Sequence, residues 1–376
     1  MAMNRRKFIA GAGGTLALVA AAGTWRVTRM PRTAILPWTL DPEPPADVRL
    51  DAFRHAILAP NPHNRQPWLI RLEGNDSAII SCDLDKRLPE TDPFDRQITI
   101  GFGTFIELAR IAAAERGVRI DIEPFPEGEP QPRLDGRPVA RLTFVPAAGI
   151  KRDPLFAAIV TRRTNREVYD SRPLQPGQLA RLTAEGIDAS ADTALMQQLR
   201  TITVAAITRE ITTQNKLMES VRLMRIGHDE IDANPDGIPL LGPMIEATAA
   251  LGLTSHESLA DQKSSASKIG LDGLTKIYGS VPAAIWIVTP GNSRTEQLEA
   301  GRLYARANLG ATSLGLAMHP MSQALQEYSE MAPLFAGMRQ TLGVRDGACL
   351  QMLARLGHAP DVDPAPRWPV ERHIVS

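Results

Sequence analysis

Two short stretches of this chain hold residue types that can do chemistry. The first is His63-Asn64-Arg65-Gln66-Pro67-Trp68, which follows an Ala-Pro-Asn-Pro turn at residues 59–62. Asn64 offers two amide donors and a carbonyl acceptor, a set that suits the edge of a ring where carbonyls alternate with an NH, and Gln66 can support it or orient the loop. The second is Thr161-Arg162-Arg163-Thr164-Asn165-Arg166. Guanidinium groups grip phosphate through paired, charge-assisted hydrogen bonds of fixed geometry, and the Thr164 hydroxyl can donate beside them. The plainer reading of such a run is a solvated basic stretch before a helix. Arg367, in Pro366-Arg367-Trp368-Pro369, is a third cation of interest; its plainer reading is a surface arginine near a tail.

Little else competes. The seven histidines are scattered and form no HxxxH or HExxH, and no Ser-His-Asp set stands out. Cys82 and Cys349 sit in no CxxC and read as small buried apolar residues, or as one disulfide if the chain is exported.

The elements that must position these residues follow from hydrophobic spacing and turn residues. A helix is expected over about Val48 to Leu58, then the motif loop, then short strands at Trp68 to Leu72 and Ala78 to Cys82 around a Gly-Asn-Asp turn. Trp68 anchors its strand in the core and Pro67 stiffens the turn before it. Gly103 to Arg116 has apolar residues at helical spacing. Ile120 to Ile122, Val139 to Val145, Val281 to Val288 and Gly347 to Leu356 read as strands. Residues 187–279 read as mostly helical, with 255–268 the least patterned part, a mobile cover over a pocket or a solvated loop.

The helix from Gly103 to Gly117 aligns without a gap on Gly301 to Gly315, each bounded by glycines and rich in alanine. This points to a repeated half, with closing glycines suited to a left-handed cap.

At 376 residues, 43% hydrophobic and 22% charged, the chain is that of an ordinary globular protein. Residues 1–30 begin with Asn4-Arg5-Arg6-Lys7-Phe8 and continue into a short apolar run, the pattern of a twin-arginine export signal. The Gly-rich stretch at Gly11 to Gly14 belongs to that run and is no phosphate loop. Residues 31–46 carry five prolines and read as an extended arm or linker. Without the five basic groups of residues 1–30, the 42 basic residues become 37 against 42 acidic ones. That balance disfavours a nucleic acid or an anionic membrane surface as partner.

The His-Asn-Arg-Gln-Pro-Trp loop resembles the flavin-contacting NxQPW loop of the FMN-dependent nitroreductase superfamily, and residues 162–166 resemble its Arg-Arg-Ser-x-Arg phosphate clamp, with Thr164 in place of Ser. Most members carry the clamp first and the loop second; here the order is reversed. The chain therefore resembles a nitroreductase dimer fused into one polypeptide, as in the Acg-type branch, over most of residues 47–376. The resemblance implies an α+β, nitroreductase-like fold of two tandem halves forming an intrachain pseudo-dimer, each a mostly antiparallel sheet packed with helices. The halves are expected at 47–150 and 151–376, with 255–268 as a lid. Counting parts implies one FMN site per chain.

In that site the resemblance gives Arg162, Arg163, Thr164 and Arg166 to the phosphate and Asn64 to the pyrimidine edge. It sets His63 beside cofactor or substrate, Ser322 where relatives turn a backbone NH toward flavin N5, and Arg367 back on the phosphate. It implies an exported, periplasmic or otherwise extracytoplasmic oxidoreductase, its signal cleaved or kept as a tether. This monomer would reduce a small conjugated or nitro-type acceptor by flavin hydride transfer, with NAD(P)H as the family's usual donor. The alternatives are an FMN-binding protein without turnover, as a store or sensor, and a decayed site in a structural or partner-binding protein.

Overall fold

A computed structural model describes residues 29–183 and 186–376; the export signal read at the N-terminus lies outside them except for its last two residues. In chain order come α1 (Val48–Ala56), β1 (Trp68–Glu73), β2 (Ser77–Cys82), α2 (Arg96–Glu115), β3 (Val118–Pro124) and β4 (Ala140–Pro146). Then follow β5 (Ile187–Ser190), α3 (Thr193–Thr212), α4 (Gln214–Leu223), β6 (Met224–Ile226), α5 (Gly227–Ala233), β7 (Ile238–Leu240), α6 (Pro243–Ala250), α7 (His256–Ala260) and α8 (Ser265–Gly279). The chain closes with β8 (Ala283–Thr289), α9 (Arg294–Ser313), β9 (Ala317–Pro320), α10 (Ala332–Thr341), β10 (Cys349–Gly357) and β11 (Ile374–Val375).

Two sheets carry the architecture, ordered β11-β1-β2-β4-β3 and β5-β8-β10-β9. Leaving out β11, the two match strand for strand, all their pairings being antiparallel. β11 lies parallel to β1, Ile374 opposite Ile70, so the chain's end returns to the first sheet. β10 is buried along its whole length because layers cover both its faces. In the first half's core Trp68 stacks on Phe105 at 4.8 Å and Phe53 on the other side of Phe105 at 5.9 Å.

α2 and α9 are the twenty-residue helices anticipated as a repeat, and both begin seven residues earlier than their apolar pattern suggests, at Arg96 and Arg294. α9 starts at a capping box in which the Ser293 hydroxyl accepts from the Glu296 amide and the Glu296 side chain accepts from the Ser293 amide. α2 lacks such a cap; its first amides, Gln97 and Ile98, donate instead to the Asp92 carboxylate.

The two helices cross backbone to backbone. A Cβ on Gly103 would lie 2.0 Å from the Leu298 carbonyl oxygen, and one on Gly301 would lie 2.1 Å from that of Ile100. Gly103 aligns with Gly301 and Ile100 with Leu298 in the gapless match, so each helix meets the other through equivalent residues, as two copies related by a two-fold axis do. Only glycine permits that approach.

Residues 255–268 depart from the sequence expectation. They form α7 and the start of α8, each opened by a serine cap, and pack on α4 and α3 rather than lying as a loop. Cys82 and Cys349 are buried and free. Among the described residues no helix is long and apolar enough to cross a membrane.

Candidate functional site

The motif loop is held in a backbone conformation that its sequence alone does not favour. His63, Asn64 and Gln66 have φ of 47°, 53° and 50°, in the left-handed region. Such residues cost energy, about 1–3 kcal/mol each in the less tolerant types, and persist where surrounding contacts over-determine them. Here they do. The Gln66 amide donates to the Asn61 side chain at 2.8 Å, the Gln66 side chain donates to the Pro235 carbonyl at 2.7 Å, and its own carbonyl accepts from the Trp368 amide at 2.9 Å. The Gly237 amide donates to the Asn64 carbonyl at 3.2 Å. Gln66 thus orients the loop, and Trp68, fully buried, anchors the start of β1.

Asn64 differs from its sequence expectation. Its amide donates to the Pro366 carbonyl at 2.9 Å and its carbonyl accepts from Arg367, so its side chain ties loop to tail rather than facing a ligand. Arg367 differs too. Its five hydrogen bonds go to Ile57, Leu58, Ala59, Pro366 and Asn64, which spends the full donor set of a guanidinium inside the protein. It clamps the carbonyl end of α1, where a cation belongs, and acts on Arg162, Arg163 and Arg166 only through its charge.

The arginine run lies on the far side of that clamp. Arg162 is buried, donates to the Leu58 carbonyl at 2.8 Å and the Asn308 side chain at 3.2 Å, and keeps its Nε without a partner. Burial brings its pKa down to about 10. Arg163, half-buried, donates to the Val160 and Arg162 carbonyls. Thr164 is half-buried, and Asn165 pins the segment through its amide to Met318 and its side chain to Pro360 at 2.7 Å. Arg355, on β10, clamps the same segment by donating to the Glu167 carbonyl at 2.8 Å.

Arg166 stands apart. Its side chain is accessible, and nearby protein, with burial as the first cause, holds its pKa below the ordinary arginine value. Among the described residues it has neither a hydrogen-bond nor an ion-pair partner. The groups within its electrostatic reach are Tyr278, Tyr304, His63, His319 and Arg367, with no carboxylate among them. His63 also lines this region; burial, then Arg166 and Arg65, bring its pKa to about 4, so its ring is neutral, and its buried Nδ1 has no partner. The Tyr304 hydroxyl is likewise buried and unpartnered. Tyr304 and Asn308 sit four residues apart on α9 and share a face.

Ser322 opens the turn after β9. It follows His319, which accepts from Arg355 Nε at 3.2 Å, and no described contact joins Ser322 itself to the arginines. The sequence reading missed Tyr304 and Asn308, whose only signal is their i, i+4 spacing on α9, and gave His319, on β9, no role of its own. It also missed Trp38, over whose ring Arg162, Arg163 and Arg367 lie at 5.5, 4.6 and 5.5 Å.

Asp363 is within electrostatic reach of Arg163, but among the described residues none of Arg162, Arg163 and Arg166 is ion-paired; guanidinium groups gathered in this way, with donors to spare on Arg162 and Arg166, are a site for a multiply charged anion such as a phosphate monoester. Beside them lie a strained loop, a neutral imidazole and a free phenol, a polar fringe of the kind that fixes the orientation of a bound aromatic group. Sequence and site chemistry therefore fit a phosphorylated flavin. Among the described residues no group of three or more His, Cys, Asp or Glu is placed to hold a metal ion.

No family model matches the chain. It is 25% identical over 340 residues to the Mycobacterium tuberculosis protein named "Putative NAD(P)H nitroreductase Rv3131", covering 87% of this chain and 90% of that one. It is 26% identical over 342 residues to "Putative NAD(P)H nitroreductase acg" of the same organism, covering 86% and 94%. Of solved structures, the FMN-dependent nitroreductase NfnB from Mycobacterium smegmatis, in complex with NADPH, is similar at a TM-score of 0.35 and 16% identity, over 57% of this chain and 94% of that one. The chain is thus related along most of its length to proteins that carry the nitroreductase name.

Proposed function

We propose that this relative of the nitroreductases is itself an exported FMN-dependent oxidoreductase, with one cofactor site per chain built across two fused halves. The observation that carries the reading is the gathering of Arg162, Arg163 and Arg166, none of them ion-paired to a carboxylate among the described residues, within electrostatic reach of the strained His63–Gln66 loop. Arg166 and Arg162 would hold the phosphate with their unspent donors, with Arg163 and Thr164 beside them. Arg367 and Asn64 would set the loop's position. Bound flavin supplies the redox chemistry, accepting hydride from a reduced donor and passing it to an acceptor. The chain's part is to bind, orient and exclude water. A neutral His63 and the Tyr304 hydroxyl offer hydrogen bonds to a bound ring or to an acceptor without adding charge to the site.

The matched sheet orders and the reciprocal Gly103 and Gly301 contacts support a pseudo-dimer, with α2 and α9 as its internal interface. A chain that satisfies this interface internally needs no second copy, so a monomer is expected. The domain limits of 47–150 and 151–376 belong to the same reading, with the tail from 359 onward returning to the first half. The twin-arginine pattern supports export after folding and cofactor loading. NAD(P)H is the electron donor in the relatives' names, and a small conjugated or nitro-type molecule is the acceptor proposed here.

Anaerobic mixing of the purified flavoprotein with NADPH or NADH tests turnover. Bleaching of the flavin absorbance, restored by a nitroaromatic or quinone, supports the oxidoreductase. A flavin that binds and is reduced by dithionite but stays oxidised with both nicotinamide donors favours the storage or sensor reading.

A further inference from the structure

The Pro-rich arm reaches the arginine cluster through Trp38, and neither the motif resemblance nor the relatives' names assigns it a role. The arm is latched at two places. The Asp232 carboxylate of α5 accepts from the backbone amides of Arg32, Thr33 and Ala34 at 2.9–3.0 Å and from the Thr33 hydroxyl at 3.0 Å. Further along, the Arg367 amide donates to the Ala34 carbonyl at 2.8 Å, and the Trp38 indole NH donates to the Ala365 carbonyl at 2.7 Å. Trp38 is buried as a result, its ring set against Arg162, Arg163 and Arg367.

Three guanidinium groups drawn to one ring repel one another, and burial, then Arg162, Arg163 and Arg166, lower the pKa of Arg367 well below the ordinary arginine value. Asp363 is within electrostatic reach of Arg163 but forms no ion pair with it; a carboxylate bonded among the three would relieve more of the repulsion but would compete with a phosphate for the same donors. An indole face attracts cations through its quadrupole and carries no formal charge, so it holds the arginines together and leaves their charge for a ligand.

We propose that Trp38 is a positioning residue of the cofactor site, and that the arm carrying it forms a wall of that site, so that retention of FMN through its phosphate depends on the docked arm. The inference rests on the FMN reading above. It gives the arm a reason to remain after export: a chain clipped between residues 34 and 38 would lose its hold on the cofactor.

The test compares the full chain with Trp38→Ala, Trp38→Phe and Asp232→Asn, following FMN release by the recovery of free-flavin fluorescence and the ratio of riboflavin to FMN dissociation constants. Trp38→Ala is expected to speed release about tenfold or more and to lower the ratio by a similar factor, while Trp38→Phe, which keeps an aromatic face, stays within about threefold of the wild type. Asp232→Asn, which loosens the arm far along the chain from Trp38, is expected to speed release without altering any arginine, and it decides the matter if Trp38→Ala does not fold. Wild-type release and ratio in Trp38→Ala, or in Asp232→Asn when Trp38→Ala is unfolded, overturn the proposal. A wild-type chain that binds riboflavin as tightly as FMN instead overturns the phosphate reading itself, whatever the variants do.

Discussion

Replacing Arg166 with Gln separates ligand binding from stability. In the flavin-free protein the guanidinium is accessible, has no hydrogen-bond or ion-pair partner among the described residues and is within electrostatic reach of Arg367. Its charge meets a like charge and forms no stabilising pair, so its removal leaves stability unchanged or raises it slightly. Toward a phosphate the sign reverses. Two charge-assisted hydrogen bonds at about 1.5–3 kcal/mol each, less the cost of ordering the side chain, leave about 3 kcal/mol, or roughly a hundredfold in Kd. The assay pairs FMN titration by fluorescence quenching with urea unfolding of the flavin-free protein. A loss of FMN affinity smaller than about threefold, or a fall in flavin-free stability above about 1 kcal/mol, refutes the assignment.

The neighbouring arginine behaves in the opposite way. Arg367→Ala leaves the Ile57 carbonyl and the Asn64 side-chain oxygen without a donor and takes one of two donors from the Leu58 and Ala59 carbonyls, and is expected to destabilise the flavin-free protein by about 3 kcal/mol in urea; Lys, with three donors and no fork, does not rescue it. Gly103→Ala places a Cβ 2.0 Å from the Leu298 carbonyl oxygen and must push α2 and α9 apart, at about 3 kcal/mol or more, so calorimetry should show a large drop in Tm; a neutral result contradicts the crossing. Burial, with Glu219 nearby, pushes the Glu210 carboxyl up to about 7. Its folded value lies above its unfolded one, so its contribution is favourable at low pH and is lost as pH rises from about 4.5 to 7. Glu210→Gln should therefore gain on the wild type between pH 5 and pH 8, by up to about 3 kcal/mol in urea unfolding, and a pH-independent difference rules the shift out.

Much of the fold was legible because it is local. The strands at 68–72 and 78–82, the buried runs of β8 and β10, and the glycine-bounded helices all announce themselves in hydrophobic spacing and turn residues. The starts of α2 and α9 did not, because their first turns are buried against the other half and carry polar side chains, Arg96 and Arg294 among them, that periodicity reads as surface. The serine-rich stretch at 255–268 looked unpatterned because α7 is only five residues long and its serines act as caps, which no apolar period records.

The candidate site was legible in its motifs but not in its division of labour. The spacing of Arg162, Arg163 and Arg166 says that cations gather; it does not say that Arg162 spends two of its donors on Leu58 and Asn308 while Arg166 spends none. Asn64 and Arg367 are 303 residues apart, and only the return of the tail to the first sheet makes them partners. Trp38 was passed over for the same reason: prolines mark the arm as extended, and nothing local says what an extended arm will lie against.

In the proposed site one chain binds one flavin and does so through its phosphate. Titrating the flavin-stripped protein with FMN and, separately, with riboflavin tests it most directly. About one FMN per chain is expected, bound on the order of a hundredfold more tightly than riboflavin. Two equivalents per chain, or equal affinity for the two flavins, would contradict it.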